Sequence, residues 1–323
     1  MFNRLAGLLN KLPGPLQKAI FREFQPIREL FLEQRPPCIA LIGGSGDLFF
    51  DWILKKDAHL DKSHASEWRH YSHQCGSSIY VLDHWASPLV INRPAIDLII
   101  LMPGATISSG DALDHFLKKN DAPVVLWDSP EAAGQLTMEA PHLSMLSRRV
   151  IAQTSPADPL FEEILCAALP PCARLQFARL TNARRAQSLI ASSLLTSFSA
   201  VCGIVGLQPI PLADLPILST LQGFMVALII HTSGRPLRIR LAFEFIGSLG
   251  LSVGAGFLFR ETTRAIVRVI PFWGEAVSGF IAGAGTYALG RAAIAYFIDD
   301  SPIQETRRIF QSLLRSPTDK LSE

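Results

Sequence analysis

The apolar positions of this chain follow one pattern up to about residue 170 and another beyond it. In the first part Cys38–Ile42, Ile79–Leu82, Ile96–Met102, Pro123–Trp127 and Val150–Gln153 are short apolar runs. Runs of that length, with Ile96–Met102 almost purely apolar, describe strands covered on both faces. Helical segments at Leu48–Leu54 and between Gly110 and Lys119 alternate with them. The pattern predicts an α/β fold with a doubly wound, mostly parallel sheet. Lys55–Gly76 is polar, shows no regular period and reads as a surface loop.

From Pro170 the period becomes helical. Leu175–Ala186 is amphipathic and basic and runs into Leu189–Leu207, an uncharged stretch just long enough to cross a bilayer. A turn at Pro209–Pro216 and a second apolar helix, Ile217–Ile230, complete a hairpin whose basic flanks, Arg184–Arg185 and Arg235–Arg240, lie on the same side. Phe245–Phe259 and Ala276–Gly290 are shorter, glycine-rich and bounded by charge. Arginines on both sides of Phe245–Phe259 favour a re-entrant or protein-buried helix over a crossing. A last helix runs from Ser301 to about Arg315. At the other end Pro13-Gly14-Pro15 starts a helix with Ile20, Phe24, Ile27 and Phe31 on one stripe, kinked at Pro26 and stopped by Pro36-Pro37. The expected organisation is N-terminal amphipathic helices at 1–35, an α/β domain at 36–169, an all-α hydrophobic helical domain at 170–316 and a disordered tail at 317–323.

Composition sharpens this division. Of 323 residues 49% are hydrophobic and 18% charged, and the mean hydropathy is +0.26, an excess concentrated after Leu189. The net charge of +2 is small, but arginines gather at Arg174, Arg179, Arg184 and Arg185 and again at Arg260, Arg264 and Arg268. Such clusters suit anionic lipid head groups, and membrane lipid rather than nucleic acid is the expected partner. Five cysteines at irregular spacing give no disulfide framework and point to a reducing compartment. The segment MFNRLAGLLNKL is amphipathic and lacks the apolar core of a signal peptide.

Candidate chemistry centres on IALIGGSGDLFFDW, Ile39–Trp52, where a strand enters a glycine-rich turn as a phosphate-binding loop does. If Gly43 opens a G-x-x-x-x-G-K-[ST] loop, its last three positions fall on Leu48, Phe49 and Phe50; from Gly44 they fall on Phe49, Phe50 and Asp51. Either way the phosphate lysine and the magnesium hydroxyl are missing. Gly44-Ser45-Gly46 also lies near a nucleophile elbow, but Asp47 stands where that turn wants glycine, and Ser45 reads more simply as a capping serine. His59, His64, His70, His73, Cys75 and His84 are a local excess of metal-ligand types whose spacing fits no zinc pattern, so no metal is expected. Gly247, Gly250 and Gly254, then Gly279, Gly283 and Gly290, fall largely on single helix faces, where they admit close helix packing. Asp214 and Glu244 are the acidic residues expected to be most shielded from water, Asp214 as a helix cap and Glu244 paired with Arg240.

Taken together the chain resembles bacterial proteins in which an Era-like or dynamin-like small GTPase domain precedes a membrane-associated helical domain of unknown function, also found in YcjF-type inner-membrane proteins. The stretches that carry the resemblance are PIRELFLEQRPPCIALIG (Pro26–Gly43), PIPLADLPILSTLQ (Pro209–Gln222) and Pro271–Arg291 with its GAGTYALGR ending. The resemblance implies a sheet of P-loop GTPase type, with Gly43, Gly44, Ser45, Gly46 and Asp83 as the nucleotide-loop remnant. It also implies structural roles for Asp214, Gln222, Gly279, Gly283 and Gly290 in the helical domain. The metal-water Asp-x-x-Gly motif falls at Asp83-His84-Trp85-Ala86, which loses the glycine. The guanine-reading Asn-Lys-x-Asp falls near Leu126-Trp127-Asp128-Ser129 without its Asn-Lys pair, and Thr154-Ser155-Pro156 stands where the last base contact belongs. Phosphoryl transfer depends on positioning and on charge stabilisation by lysine and magnesium. The expectation is therefore a non-catalytic pseudo-GTPase without GTP or Mg, held at the cytoplasmic face of the bacterial inner membrane as a scaffold or regulator through lipid, a protein partner or self-association. The alternatives are a GTPase that remodels membranes and a soluble helical interaction protein.

Overall fold

The computed structural model describes residues 14–42, 58–61, 68–73, 78–82, 96–101, 120–127, 150–154, 158–207, 214–250 and 274–319. The chain forms two compact units, Glu29–Ala186 and Met1–Arg28 with Gln187–Glu323.

The first unit is an α/β domain. Its strands are β1 (Cys38–Ile42), β2 (Ala58–Asp61), β3 (Trp68–His73), β4 (Ser78–Leu82), β5 (Leu98–Leu101), β6 (Val124–Trp127) and β7 (Val150–Thr154). They make one sheet in the order β2-β3-β4-β1-β5-β6-β7. The pairs β4–β1, β1–β5, β5–β6 and β6–β7 are parallel, whereas β2–β3 and β3–β4 are antiparallel. Ile39 and Leu98–Leu101 are fully buried, as the apolar runs require for central parallel strands.

The surface loop expected at Lys55–Gly76 is corrected here, because that stretch contains β2 and β3. Its sequences, AHLD and WRHYSH, carry no apolar run. β3 is held by antiparallel backbone pairing to β4, in the register Trp68↔Leu82 to Ser72↔Ser78, and β2 by pairing to β3, from Ala58↔His73 to Asp61↔His70, with Tyr71 buried. An edge hairpin of this kind leaves no hydrophobic period to read. The expected helices at Leu48–Leu54 and Gly110–Lys119 lie outside the described residues.

After β7 come α2 (Phe161–Ala168) and α3 (Pro171–Leu180), where α1 denotes the N-terminal helix Gly14–Phe31. The phenyl ring of Phe161 meets Trp127 of β6 edge-on at 5.0 Å, which fastens α2 to the sheet. Arg174 Nε donates to Leu169 O at 2.7 Å and its NH2 to Ala167 O at 2.9 Å, satisfying carbonyls at the end of α2. Arg179 is buried. Two of the four arginines assigned to lipid are thus committed to the α/β domain, and α3 belongs to that unit although the pattern change at residue 170 placed it with the helices. Nor does α3 run into the next helix. Asn182, at φ 50°, turns the chain, and Ala183 N–H returns to Ala178 O at 3.2 Å, which closes α3 in a Schellman-type end.

The second unit is helical: α1 up to Arg28, α4 (Arg184–Gly206) from Gln187 onward, α5 (Asp214–Thr232), α6 (Ile239–Gly250), α7 (Gly274–Phe297) and α8 (Ile303–Asp319). Helix α1 is continuous through Pro26, and Phe24 packs edge-on against Phe198 of α4 at 5.1 Å. Leu221 and Gly223–Ile230 of α5 are all buried, so α5 is a core helix apolar on every side. α7 extends to Phe297, seven residues past the expected end at Gly290, because Arg291 points outward and Ala292–Ala295 continue the buried face. α8 extends to Asp319, beyond the expected Arg315. Among the described residues one helix, α4, is long and apolar enough to cross a membrane, with 56% of its apolar window buried in the protein.

Candidate functional site

The sheet has two ends with different chemistry. At the carboxyl end the strands finish at Ile42, Leu82, Leu101, Trp127 and Thr154. From β1 the chain goes on to β2–β4 on one side, and after β4 it passes to β5 on the other. The crevice between β1 and β5 is therefore the topological switch point, where open α/β sheets bind ligands. In the sequence Gly43-Gly44-Ser45-Gly46 directly follows β1. Asp83 follows the neighbouring strand β4. All five residues lie outside the described residues, as do Leu48, Phe49 and Phe50. Leu101 and Trp127 are buried, so the described part of this rim is apolar apart from Thr154. The Thr154 hydroxyl is buried and has no hydrogen-bond partner among the described residues.

The amino end holds a polar clasp that the sequence pattern did not single out. Both Arg35 guanidinium nitrogens NH1 and NH2 donate to the Asp97 carboxylate, NH1 to Oδ2 at 2.6 Å. Cys38 N–H donates to Asp97 Oδ2 at 2.9 Å, Asp97 N–H donates to Cys38 O at 2.8 Å, and Arg35 N–H donates to Cys172 O at 2.9 Å. One buried carboxylate thus joins the entries of β1 and β5, and the same arginine ties them to α3. The hydrogen bond to Asp97 raises the Arg35 pKa further above its ordinary value, against the opposing effect of burial. Burial, reinforced by the Asp97 charge, pushes the Cys38 thiol up to about 11. The clasp lies at the end of β1 opposite to the one that the glycine-rich stretch follows in the sequence, and its signal in the sequence was a charge at the entry of each of two apolar strands.

The histidine-rich stretch is laid out by β2 and β3, where His59 is registered with Ser72, His70 with Asp61 and His73 with Ala58. His64, Cys75 and His84 lie outside the described residues. Among the described residues no three of His, Cys, Asp and Glu converge as a metal site would require.

In the helical unit the residues singled out from the sequence fall mostly on one helix crossing. A Cβ built on Gly283 would lie 3.2 Å from Ser199 O and 3.6 Å from Gly203 Cα, and one on Gly279 would lie 2.8 Å from Gly203 O. One on Gly290 would lie 2.3 Å from Leu195 Cδ1. As α7 advances through 279, 283 and 290, its neighbours on α4 recede through 203, 199 and 195, so the two helices are antiparallel. Gln222 Nε2 on α5 donates to Thr286 Oγ1 on α7 at 3.1 Å, and Thr286 Oγ1 donates to Ala282 O at 2.8 Å. Ser199 and Gly203, and Gly279 and Gly283, are each four residues apart, the small-x-x-x-small spacing that lets helix backbones touch.

Other expectations fare differently. Gly247 meets nothing within 4 Å and so makes no such contact, and Gly254 lies outside the described residues. Asp214 is the first residue of α5. Glu244 is not shielded: its side chain is 56% exposed and bonds Arg240 Nε at 2.8 Å, an i,i+4 pair on a solvent-facing helix. The Arg260, Arg264 and Arg268 cluster lies outside the described residues. The chain matches no protein-family model, and no curated protein matches it.

Proposed function

We propose that the chain is a non-catalytic protein of P-loop GTPase type joined to a membrane-associated helical domain, acting as a scaffold or regulator. The observation that carries the reading is the strand order. The glycine-rich stretch follows β1 in the sequence, and β1 borders the switch point of a sheet whose only antiparallel strands, among the described residues, lie at one edge. The turn has lost the lysine and hydroxyl that phosphoryl transfer needs, and Leu48, Phe49 and Phe50 stand in their positions. Calorimetric titration of the full chain with magnesium and GTP tests this. The expected result is no measurable heat of binding, and micromolar binding overturns the non-catalytic reading in favour of a GTPase.

A second reading is favoured by one observation: from Gly223 to Ile230 every residue of α5 is buried in protein, as in a soluble bundle. On that reading α4 is a core helix too. Two of its outward positions, Ser193 and Thr196, are polar, with Thr196 Oγ1 donating to Ser192 O at 3.0 Å, while a third, Leu189, is apolar and 56% exposed. Alkaline carbonate extraction separates the two, since full release into the supernatant would leave no integral helix.

A further inference from the structure

We infer that Arg235–Phe243 is a docking surface for the anionic headgroup layer of a membrane. The inference rests on the membrane association proposed above and names the surface that makes it. At the end of α5, Ser233 N–H bonds Ile229 O at 3.1 Å, and Gly234 N–H bonds His231 O at 3.2 Å. Gly234 adopts φ 86°, a conformation that side-chain-bearing residues seldom take, and it turns the chain out of the helix. The six residues that follow, Arg235-Pro236-Leu237-Arg238-Ile239-Arg240, are all exposed. Leu237 is 45% exposed, Ile239 37% and Phe243 48%.

Three guanidinium groups therefore alternate with three large apolar side chains, Leu237 and Ile239 on the exposed segment and Phe243 with its ring tip against Gly223 of α5 and the remainder open to water. Arg235 stands over the Phe297 ring at 5.2 Å, which holds this end of the segment against α7. Arg240 is paired with Glu244, while Arg235 and Arg238 have no acidic partner among the described residues. Charge complementarity asks for an anion, and the interleaved Leu237, Ile239 and Phe243 decide which kind. A nucleic acid or an acidic peptide would neutralise the arginines and leave the apolar side chains wet. The boundary between headgroups and acyl chains takes both, with apolar side chains inserted and arginines at the phosphates.

The test is flotation of the full chain with phosphatidylcholine vesicles, with and without about one-third phosphatidylglycerol. Two double variants probe the two chemistries: Arg238→Gln with Arg240→Gln, and Leu237→Ser with Ile239→Ser. An unchanged helical circular dichroism spectrum verifies the fold of each. The expected result is preferential binding to the anionic vesicles, lowered roughly 10- to 30-fold by the arginine pair, taking about fivefold for each charge at such a surface. The serine pair is expected to weaken binding to the same vesicles. Equal binding to neutral and anionic vesicles, with the arginine pair without effect, overturns this inference and leaves membrane association standing through the apolar helices. Binding to no vesicle overturns both. Loss of duplex DNA binding in the arginine pair, without any vesicle binding, would reassign the surface to nucleic acid and overturn the inference.

Discussion

Replacing glycines of α7 by alanine one at a time should give stabilities that follow the space beside each glycine. Alanine is worth about 1 kcal/mol over glycine in a helix interior, so with open space the change stabilises. Gly285 is that case, with nothing within 4 Å of an added Cβ, and Gly285→Ala should gain up to about 1 kcal/mol. At Gly283 the methyl would sit 3.2 Å from Ser199 O and 3.6 Å from Gly203 Cα, both backbone atoms of α4. A shift of a few tenths of an ångström would cancel most of the gain. At Gly279 it would sit 2.8 Å from Gly203 O and 2.6 Å from Leu207 Cγ. Leu207 is partly exposed and can move, but the carbonyl can move only with its helix. Overpacking of this kind costs about 1–3 kcal/mol, so Gly279→Ala should be destabilising by up to about 2 kcal/mol. Urea unfolding of the full chain, comparing midpoints at constant slope, reads the order Gly285→Ala above Gly283→Ala above Gly279→Ala. If Gly279→Ala is as stable as Gly285→Ala, the close approach of α4 and α7 is not part of the folded protein.

Two further predictions concern the clasp at the amino end of the sheet and the buried thiols Cys38 and Cys166. Arg35→Leu leaves the buried Asp97 carboxylate without its guanidinium and should cost about 3–5 kcal/mol, whereas Arg35→Leu with Asp97→Leu should recover much of that; equal losses by chemical denaturation would show that the pair is not coupled. Burial raises the Cys38 thiol from its ordinary 9.0 to about 11 and the Cys166 thiol to about 12, so unfolding releases a proton above pH 9. Their contribution is fully present below about pH 9, falls as pH rises, and is lost by about pH 11 for Cys38 and 12 for Cys166. Alkylation of the native chain at pH 8 should accordingly spare Cys38 and Cys166, and rapid labelling of either would contradict their burial.

The sequence by itself determined those elements whose hydrophobic period is strong. Cys38–Ile42 is a strand with the bounds its apolar run suggests, and Leu98–Leu101 lies within the run Ile96–Met102. The stripe Ile20, Phe24 and Ile27 belongs to one helix, and the four-residue glycine step at Gly279 and Gly283 marks a face where backbones meet. These features are local, because period and side-chain size are properties of neighbouring residues. Only the tertiary structure decided the rest. β3 exists through pairing with β4 and β2 through pairing with β3, and a polar edge strand carries no apolar period to announce itself. The run Ile217–Ile230 looks the same in sequence whether its neighbours are lipid or protein. Burial of Gly223–Ile230 on all sides comes from helices distant in the chain. Arg174 and Arg179 counted as surface charge until the fold brought helix-end carbonyls and buried surroundings to them. Arg35 and Asp97, 62 residues apart, become a pair because β1 and β5 are neighbours in the sheet.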